Sequence, residues 1–351
     1  MKKICKKVFL IYMILIIFST STSFAATTDS SSYQKTKGYD YSIHLGTKEW
    51  KNLNNHDDKI KACYISEDKL KTMSTDELVI LVLNYPLLID VFAYDTFQDG
   101  IEIVSTYCSP MEELLNRSDA GQSLLKTYKE QSVSQVFSNE NDNYGNGNIG
   151  NNNFLKQSIT EILLAQEEVY DDFSSKESKD LIEEVTKKTN QKEESSDFGI
   201  TRNLYQTVKK DTTSEISSST VSPIASTMST TISYNVSSYP VFTPKSSAIY
   251  PWIAYNDFTS AEKTAMNNSY CNSYPNAVYS ATSTAKYNCH SYAWLSQSTT
   301  NGFWINSPNI YWNDGSYQYV GTSPTANGQK VYYDRSGTEH SGVVYNYSTK
   351  K

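Results

Sequence analysis

Two stretches of this chain are too polar to take part in a hydrophobic core. Residues 139–153 consist mainly of Asn and Gly, and residues 211–231 consist mainly of Ser and Thr. Segments of this composition cannot bury enough apolar surface to offset the entropy that is lost when a chain is ordered. The sequence therefore predicts separately folded parts, joined by an Asn/Gly-rich linker over residues 132–153 and a Ser/Thr-rich tether over residues 211–231.

The first 25 residues have the pattern of a secretory signal peptide. Four lysines precede the apolar run Val8–Phe18. Ser23-Phe24-Ala25 then places small residues where a signal peptidase cleaves. The run is shorter than the ~20 apolar residues that cross a membrane, so we expect cleavage after Ala25, with an uncleaved anchor as the alternative. No second sustained apolar run follows. We therefore expect a mature protein without a transmembrane segment, free outside the cell or held in the cell wall.

Helical patterns fill most of the chain between the signal peptide and the tether. After a polar region over residues 26–65, Ser74-Thr75-Asp76-Glu77 has the spacing of a capping box. Further helix starts at Ser109 and Asp119 predict four or five helices over residues 66–131, a module that we expect to serve folding or docking. Apolar residues at helical spacing return over residues 154–210 and predict a second helical segment.

The last 120 residues, 232–351, have a different composition. They contain 16 of the 28 tyrosines and four of the five tryptophans, but only 12 charged residues. Short aromatic runs alternate with turn residues and predict strands, and one helix is predicted from Cys289 to Ser296. The predicted class is therefore α+β, with an all-helical N-terminal module, polar linkers and a small C-terminal α+β domain. The many aromatic side chains are expected in the core and on the surface of this domain, with stacking on wall sugars as an alternative.

The charge balance argues against nucleic acid as a partner. The chain has 31 basic and 38 acidic residues, a net charge of −7, and loss of the four signal-peptide lysines lowers this charge to −11. No Cys-x-x-Cys pair and no His-Glu-x-x-His sequence occurs, so we expect neither a metal site nor a cofactor. His44 and His56 lie in polar sequence and are not expected to be catalytic. Cys63 and Cys108 are expected to form a structural disulfide or to be two buried thiols.

Cys289 is the strongest candidate for chemistry. Asn288 is a favourable N-cap, which places Cys289 in the first turn of a helix, where backbone N–H groups favour the thiolate and lower the thiol pKa. His290 is adjacent on that helix and points away by roughly 100°, so it is a poor base for Cys289. Residues 329–345 predict a hairpin whose second strand presents His340 to the start of the helix, which is the geometry of a Cys–His pair.

These residues resemble the papain-like secreted cysteine hydrolases of the NlpC/P60 and CHAP type. The resemblance rests on a helix that opens with Asn-Cys-x-x-Tyr-Ala and on a later strand pair that carries His-Ser-Gly-Val-Val, and it covers residues 239–351. It implies a nucleophile helix packed on a short antiparallel sheet, with Cys289 as the nucleophile, His340 as the base and a third polar residue that orients the histidine. It also implies a peptidase or amidase that acts on cell-wall peptide of peptidoglycan or on another extracellular peptide.

The third, orienting residue has no clear position in this chain. Proteins of this type carry it on the strand after the histidine strand, and only 11 residues follow His340. Asn346 lies about 20 Å further along, at 3.3 Å per residue. Glu339 points to the opposite face of the strand, and Asp334 lies in the turn. We therefore expect a weak or inactive enzyme, since loss of the orienting group in a related triad costs about 10⁴ in rate.

Two alternatives to catalysis stay open for Cys289. It can form a disulfide with Cys271, which is chemically permissible outside the cell, or it can be an inert buried thiol. The corresponding alternative function is a non-catalytic secreted or cell-surface binding module with a degenerate hydrolase fold. The state of the thiol distinguishes the two functions, because a Cys271–Cys289 bridge leaves no nucleophile.

Overall fold

The computed structural model describes residues 40–137, 152–213, 234–278, 280–334 and 339–346. The predicted signal peptide, residues 1–25, lies outside these residues, as do most of the predicted linker and most of the predicted tether. All described residues belong to one compact unit. They combine many helices with three two-stranded antiparallel sheets, so the class is α+β, as the sequence predicts.

The described chain from residue 48 to residue 213 is helical. Its α-helices are α1 (Lys48–Lys51), α2 (His56–Cys63), α3 (Glu67–Lys71), α4 (Thr75–Leu83), α5 (Phe97–Ser105), α6 (Ser109–Leu115), α7 (Ala120–Glu130), α8 (Asn153–Leu164), α9 (Glu167–Tyr170), α10 (Ser175–Glu193) and α11 (Leu204–Thr213). Three 3₁₀ helices join them, at Leu88–Ala93, Val133–Gln135 and Ile200–Asn203. We call the described residues 40–213 the helical part.

Side-chain caps determine where several of these helices begin. α4 and α10 each open with a capping box, in which Ser74 and Ser174 accept from the backbone N–H of Glu77 and Glu177, and each glutamate accepts from the serine N–H in return. The capping box predicted at Ser74 is thus confirmed. α6 begins at Ser109 with a proline in its first turn, also as predicted.

The centre of the helical part is α8, of which most side chains are buried. It packs against α5, α7 and α11. A buried ion pair crosses this core, with Lys192 Nζ 2.5 Å from Glu161 Oε1. The Tyr128 hydroxyl donates to the same carboxylate oxygen at 2.8 Å. Because both charged groups are almost completely buried, each one is tolerated only in the presence of the other.

The strands lie in the C-terminal part, which we define as the described residues from 234 onward. They are β1 (Tyr234–Val236), β2 (Val241–Phe242), β3 (Ala248–Ile249), β4 (Trp252–Ala254), β5 (Lys330–Tyr333) and β6 (His340–Val343). β1 pairs with β4, β2 with β3 and β5 with β6. This part also contains α12 (Ser260–Ser273) and α13 (Ile310–Asn313). The sequence prediction misses α12, although Thr259 and Glu262 have the capping-box spacing that the structure uses.

α12 packs on the helical part. Phe258, Ala265, Met266 and Ala285 join the hydrophobic core of the helical part, and we call this combined cluster the first core. Glu262 is completely buried, and its Oε1 accepts from the backbone N–H groups of Gly199 and Thr201, each at 2.9 Å. Trp50 Nε1 donates to the Ser273 carbonyl at 3.1 Å. The first core therefore extends past residue 232, and a separate domain over residues 232–351 stays a prediction.

A second, smaller core lies entirely in the C-terminal part. Its buried members are Ala293, Trp294, Ile305 and Tyr311. The Trp294 ring lies against three other aromatic rings, those of Tyr311, Trp312 and Tyr317. Leu295 and Val343 pack against this second core, and they belong to the helix that begins at Cys289 and to the strand of His340.

Candidate functional site

Cys289 opens a short helix over residues 289–295, of which Ser291–Leu295 form a π-helical turn. Asn288 caps this helix, because its Oδ1 accepts from the backbone N–H of Ser291 at 3.0 Å. The same amide binds the Ile305 backbone, donating to its oxygen at 2.9 Å and accepting from its nitrogen at 3.3 Å. The predicted N-cap is present, and it places Cys289 in the first turn.

The predicted hairpin packs against this helix. β5 and β6 pair with Tyr333 opposite His340. Ser341, the next residue of β6, is buried, and its Oγ lies 2.7 Å from both His290 Nδ1 and Trp294 Nε1. An indole N–H can only donate, so the Ser341 oxygen accepts from Trp294. These two contacts hold β6 against the helix that begins at Cys289.

The structure brings the strand of His340 to Cys289, but not the imidazole ring. The backbone N–H of Ser341 lies near the Cys289 sulfur and acts to lower the pKa of the thiol. Because side chains alternate along a strand, Ser341 faces the helix while the His340 ring lies against Tyr333, with the ring centroids 6.3 Å apart. Among the described residues, no hydrogen bond or ion pair joins the His340 ring to Cys289. The His340 residue is exposed, and partial desolvation of its ring lowers the pKa of His340 below its ordinary value.

No acid holds the His340 ring within the described part of the chain. Glu339 and Asp334 are both exposed, and neither makes a hydrogen bond or an ion pair with the imidazole there. Asn346 lies beyond Val343, where β6 ends. None of Asp334, Glu339 and Asn346 is seen to orient the His340 ring, so the absence of an orienting residue stays a prediction.

The environment of Cys289 raises the pKa of its thiol. Burial is the largest cause, and the negative charge of Asp95 adds to it. The backbone N–H groups of Ser341, His290 and Cys289 itself act in the opposite direction, since they stabilise the thiolate. The net direction is opposite to the lowered pKa that the helix-start argument predicts. The predicted lowering of the thiol pKa is wrong, because burial outweighs the N–H groups here.

Asp95 is the residue at this site that sequence analysis missed. It lies between the 3₁₀ helix Leu88–Ala93 and α5, and thus belongs to the helical part. The side chains of Asn288 and Trp304 lie near its carboxylate and act to lower its pKa. Although the Asp95 side chain is exposed, partial desolvation, followed by the negative charge of Asp99, raises its pKa to about 6. A polar residue between two helices gives no sequence signal that its charge acts on a cysteine far along the chain.

The four described cysteines are all free thiols. Cys63 and Cys108 are buried, which agrees with the second of the two predictions made for them. Burial raises the pKa of both thiols. Cys271 and Cys289 are partly buried and are not joined. The alternative of a Cys271–Cys289 disulfide is therefore wrong for this structure, and Cys289 keeps its sulfur available.

A buried carboxylate marks a second polar cluster, which sequence analysis also missed. Asp90 accepts from the Tyr274 hydroxyl at 2.6 Å and 2.8 Å and from the Tyr107 hydroxyl at 3.3 Å. His56 Nε2 lies 3.0 Å from the same carboxylate. His44 lies apart from this cluster, 3.8 Å from Asp40. Within the described residues, no group of three or more His, Cys, Asp or Glu side chains has a metal-binding arrangement.

Comparison with protein-family models, with curated proteins and with solved structures gave no match to this chain. Separately, none of the helices in the described ranges combines the length and the apolar character that a membrane crossing needs.

Proposed function

We propose that this protein is a secreted, cysteine-dependent amide hydrolase, with Cys289 as the nucleophile and His340 as the base. The observation that supports the proposal is the packing of Ser341, which directly follows His340, on the helix that Cys289 opens, with its Oγ 2.7 Å from both His290 Nδ1 and Trp294 Nε1. The strand of the base and the helix of the nucleophile thus lie side by side. The proposed substrates are cell-wall peptide of peptidoglycan and other extracellular peptides, as the resemblance to papain-like hydrolases implies.

The proposed reaction is acyl transfer through the cysteine. The His340 imidazole takes the thiol proton, and the Cys289 sulfur attacks the carbonyl carbon of the amide. The protonated imidazole then gives its proton to the leaving amine, and water releases the acid from the thioester. Backbone N–H groups around Cys289 would stabilise the oxyanion of each tetrahedral intermediate. His340 must leave the Tyr333 ring to perform the first step.

A second candidate function is a non-catalytic secreted binding module with a degenerate hydrolase fold. Two observations favour it: the raised pKa of Cys289 and the absence of a bond between Cys289 and His340 in the described structure. Both features reduce the fraction of reactive thiolate. Between these two functions, the first predicts slow hydrolysis and the second predicts none.

Zymography on purified peptidoglycan, together with hydrolysis of a peptide library derived from it, tests the proposal. We expect slow clearing by the intact protein and none by Cys289→Ala, which serves as the matched control. Clearing by Cys289→Ala would exclude Cys289 as the nucleophile. Equal absence of hydrolysis by both proteins, with binding to peptidoglycan in a pull-down, would favour the second candidate.

A further inference from the structure

The chain from β3 to β4, residues 248–253, has one face that points away from the protein. Its even-numbered residues are exposed, with Tyr250 at 57% and Trp252 at 37%, whereas its odd-numbered residues are buried or half-buried. Among the latter, Ile249 packs against the second core. Because successive side chains of an extended chain alternate between two faces, Tyr250 and Trp252 lie on the face opposite that core.

Neighbouring segments continue this face on both sides. Val236 of β1 lies directly opposite Trp252, and Phe242 of β2 lies directly opposite the first residue of β3. On the other side of β4, Trp304 pairs with Trp252 through two backbone hydrogen bonds of 2.8 Å. Residues directly opposite each other in antiparallel chains have their side chains on the same face. We call the resulting surface of Val236, Phe242, Tyr250, Trp252 and Trp304 the aromatic face.

The aromatic face leads to the candidate site. Trp304 is followed by Ile305, whose side chain is buried in the second core. Asn288 donates to the Ile305 backbone oxygen at 2.9 Å and also caps the helix that Cys289 opens. The tryptophan side of the aromatic face is thus one residue away from the backbone that the cap of the Cys289 helix holds.

The composition of the chain around the aromatic face fits a neutral ligand. Residues 234–256 contain one charged side chain, Lys245, and residues 296–307 contain none. A strongly anionic or cationic partner therefore finds little charge of the opposite sign on these stretches. What the face offers instead is a set of flat rings, three of which belong to tyrosine and tryptophan.

The aromatic face is too small to hold a second copy of this chain. Three chain segments about 4.8 Å apart and five residues of about 3.3 Å each cover roughly 10 Å by 16 Å, on the order of 200 Å². A stable dimer buries about 800 Å² on each partner. A small, open and uncharged set of rings suits a narrow ligand that lies across it.

We propose that the aromatic face binds the glycan strand of peptidoglycan, with sugar rings stacked on Trp252, Trp304 and Tyr250. The C–H groups on the flat faces of β-linked sugar rings pack on aromatic rings, while the sugar hydroxyls at the rim stay in water. The choice of wall glycan rests on the proposed function, whereas the stacking of sugar rings does not. A strand bound at Trp304 brings its attached peptide towards Cys289.

The test is isothermal titration calorimetry of the full-length protein with a hexamer of β-1,4-linked N-acetylglucosamine, together with cosedimentation with intact peptidoglycan. Trp252→Leu keeps an apolar side chain and the backbone pairing but removes the ring, so the affinity for the hexamer should fall by about tenfold. Trp252→Phe restores a ring and should recover most of this loss. Tyr64→Leu is the matched control, because Tyr64 is 66% exposed but lies in the helical part, and it should leave the affinity unchanged.

Circular dichroism verifies the fold of each variant. Tyr250→Leu replaces Trp252→Leu if the latter does not fold, and it should weaken binding by about threefold. No binding of the hexamer by the unchanged protein would overturn the proposal, and so would equal binding by Trp252→Leu. Binding of the hexamer without cosedimentation would exclude the cell wall as the source of the ligand and overturn the proposal too. A dimer that Trp252→Leu abolishes would reassign the aromatic face to a second copy.

The readout does not depend on Cys289, because binding of the hexamer involves no amide hydrolysis. Glycan binding that Trp252→Leu weakens, without any hydrolysis of peptidoglycan, would support this inference and exclude only the hydrolase. Hydrolysis of peptidoglycan, with glycan binding that Trp252→Leu leaves unchanged, would do the reverse.

Discussion

Glu262 provides the sharpest test of how the helical part is joined to α12. Its Oε1 accepts three bonds from the 3₁₀ segment of the helical part, from the backbone N–H groups of Gly199 and Thr201 and from the Thr201 hydroxyl. Its Oε2 accepts from the Thr259 N–H at 2.8 Å, which completes the capping box of α12. The side chain is completely buried.

Glu262→Ala leaves three donors without a partner and removes the capping bond. At about 1 kcal/mol for each buried donor and about 1 kcal/mol for the cap, the free energy of unfolding should fall by roughly 4 kcal/mol. Urea denaturation followed by tryptophan fluorescence measures this loss. Glu77→Ala and Glu177→Ala are matched controls, because each breaks the same kind of capping box at a helix start where the glutamate is not buried. Each control should lose less, because it removes only the bonds of a solvent-accessible cap.

The difference of about 3 kcal/mol between Glu262→Ala and its controls is the contribution of the bonds to Gly199 and Thr201. A loss for Glu262→Ala no larger than that for Glu77→Ala would refute the reasoning. It would mean that α12 and the 3₁₀ segment at residue 200 are not held together in solution.

Three further predictions concern charge and domain organisation. Lys192→Met should lower the free energy of unfolding by about 3–5 kcal/mol, because it leaves the Glu161 carboxylate buried without its partner, and the double variant with Glu161→Gln should recover much of this loss in urea denaturation. Because the pKa of Asp95 is raised to about 6 in the folded protein, ionisation of this group opposes folding above pH 6 and ceases to do so as the pH falls towards 4. Asp95→Asn should therefore raise the Tm at pH 7.5 more than at pH 4.5, and an equal change at both pH values would contradict this. After limited proteolysis within residues 211–231, the two fragments should elute together in gel filtration because of the first core, and separate elution would show that the fragments are independent domains.

Local signals in the sequence predicted local structure well. The capping box at Ser74 and the hairpin that contains His340 both depend on neighbouring residues, and both are present. The same kind of signal at Thr259 and Glu262 was available for α12, but no helix was predicted from it. Burial of Glu262 could not be predicted, because its partners come from a distant segment.

The face of β6 that packs on the Cys289 helix could not be predicted either. His340 and Ser341 are both polar, so the alternation of apolar and polar residues that normally identifies the buried face is absent at this point. The structure places the smaller Ser341 in the interior, between His290 and Trp294. The larger imidazole then lies on the opposite face, against Tyr333.

Cys289 lies in the chain between residues of the two hydrophobic cores. Ala285 belongs to the first core, and Ala293 belongs to the second. Cys289 lies midway between them, so its backbone is held at one end by packing against the helical part and at the other by the aromatic cluster around Trp294. A shift of one core relative to the other must be absorbed in the few residues between. We therefore expect the environment of Cys289 to respond to changes in the packing of α12 on the helical part as well as to changes in its direct neighbours.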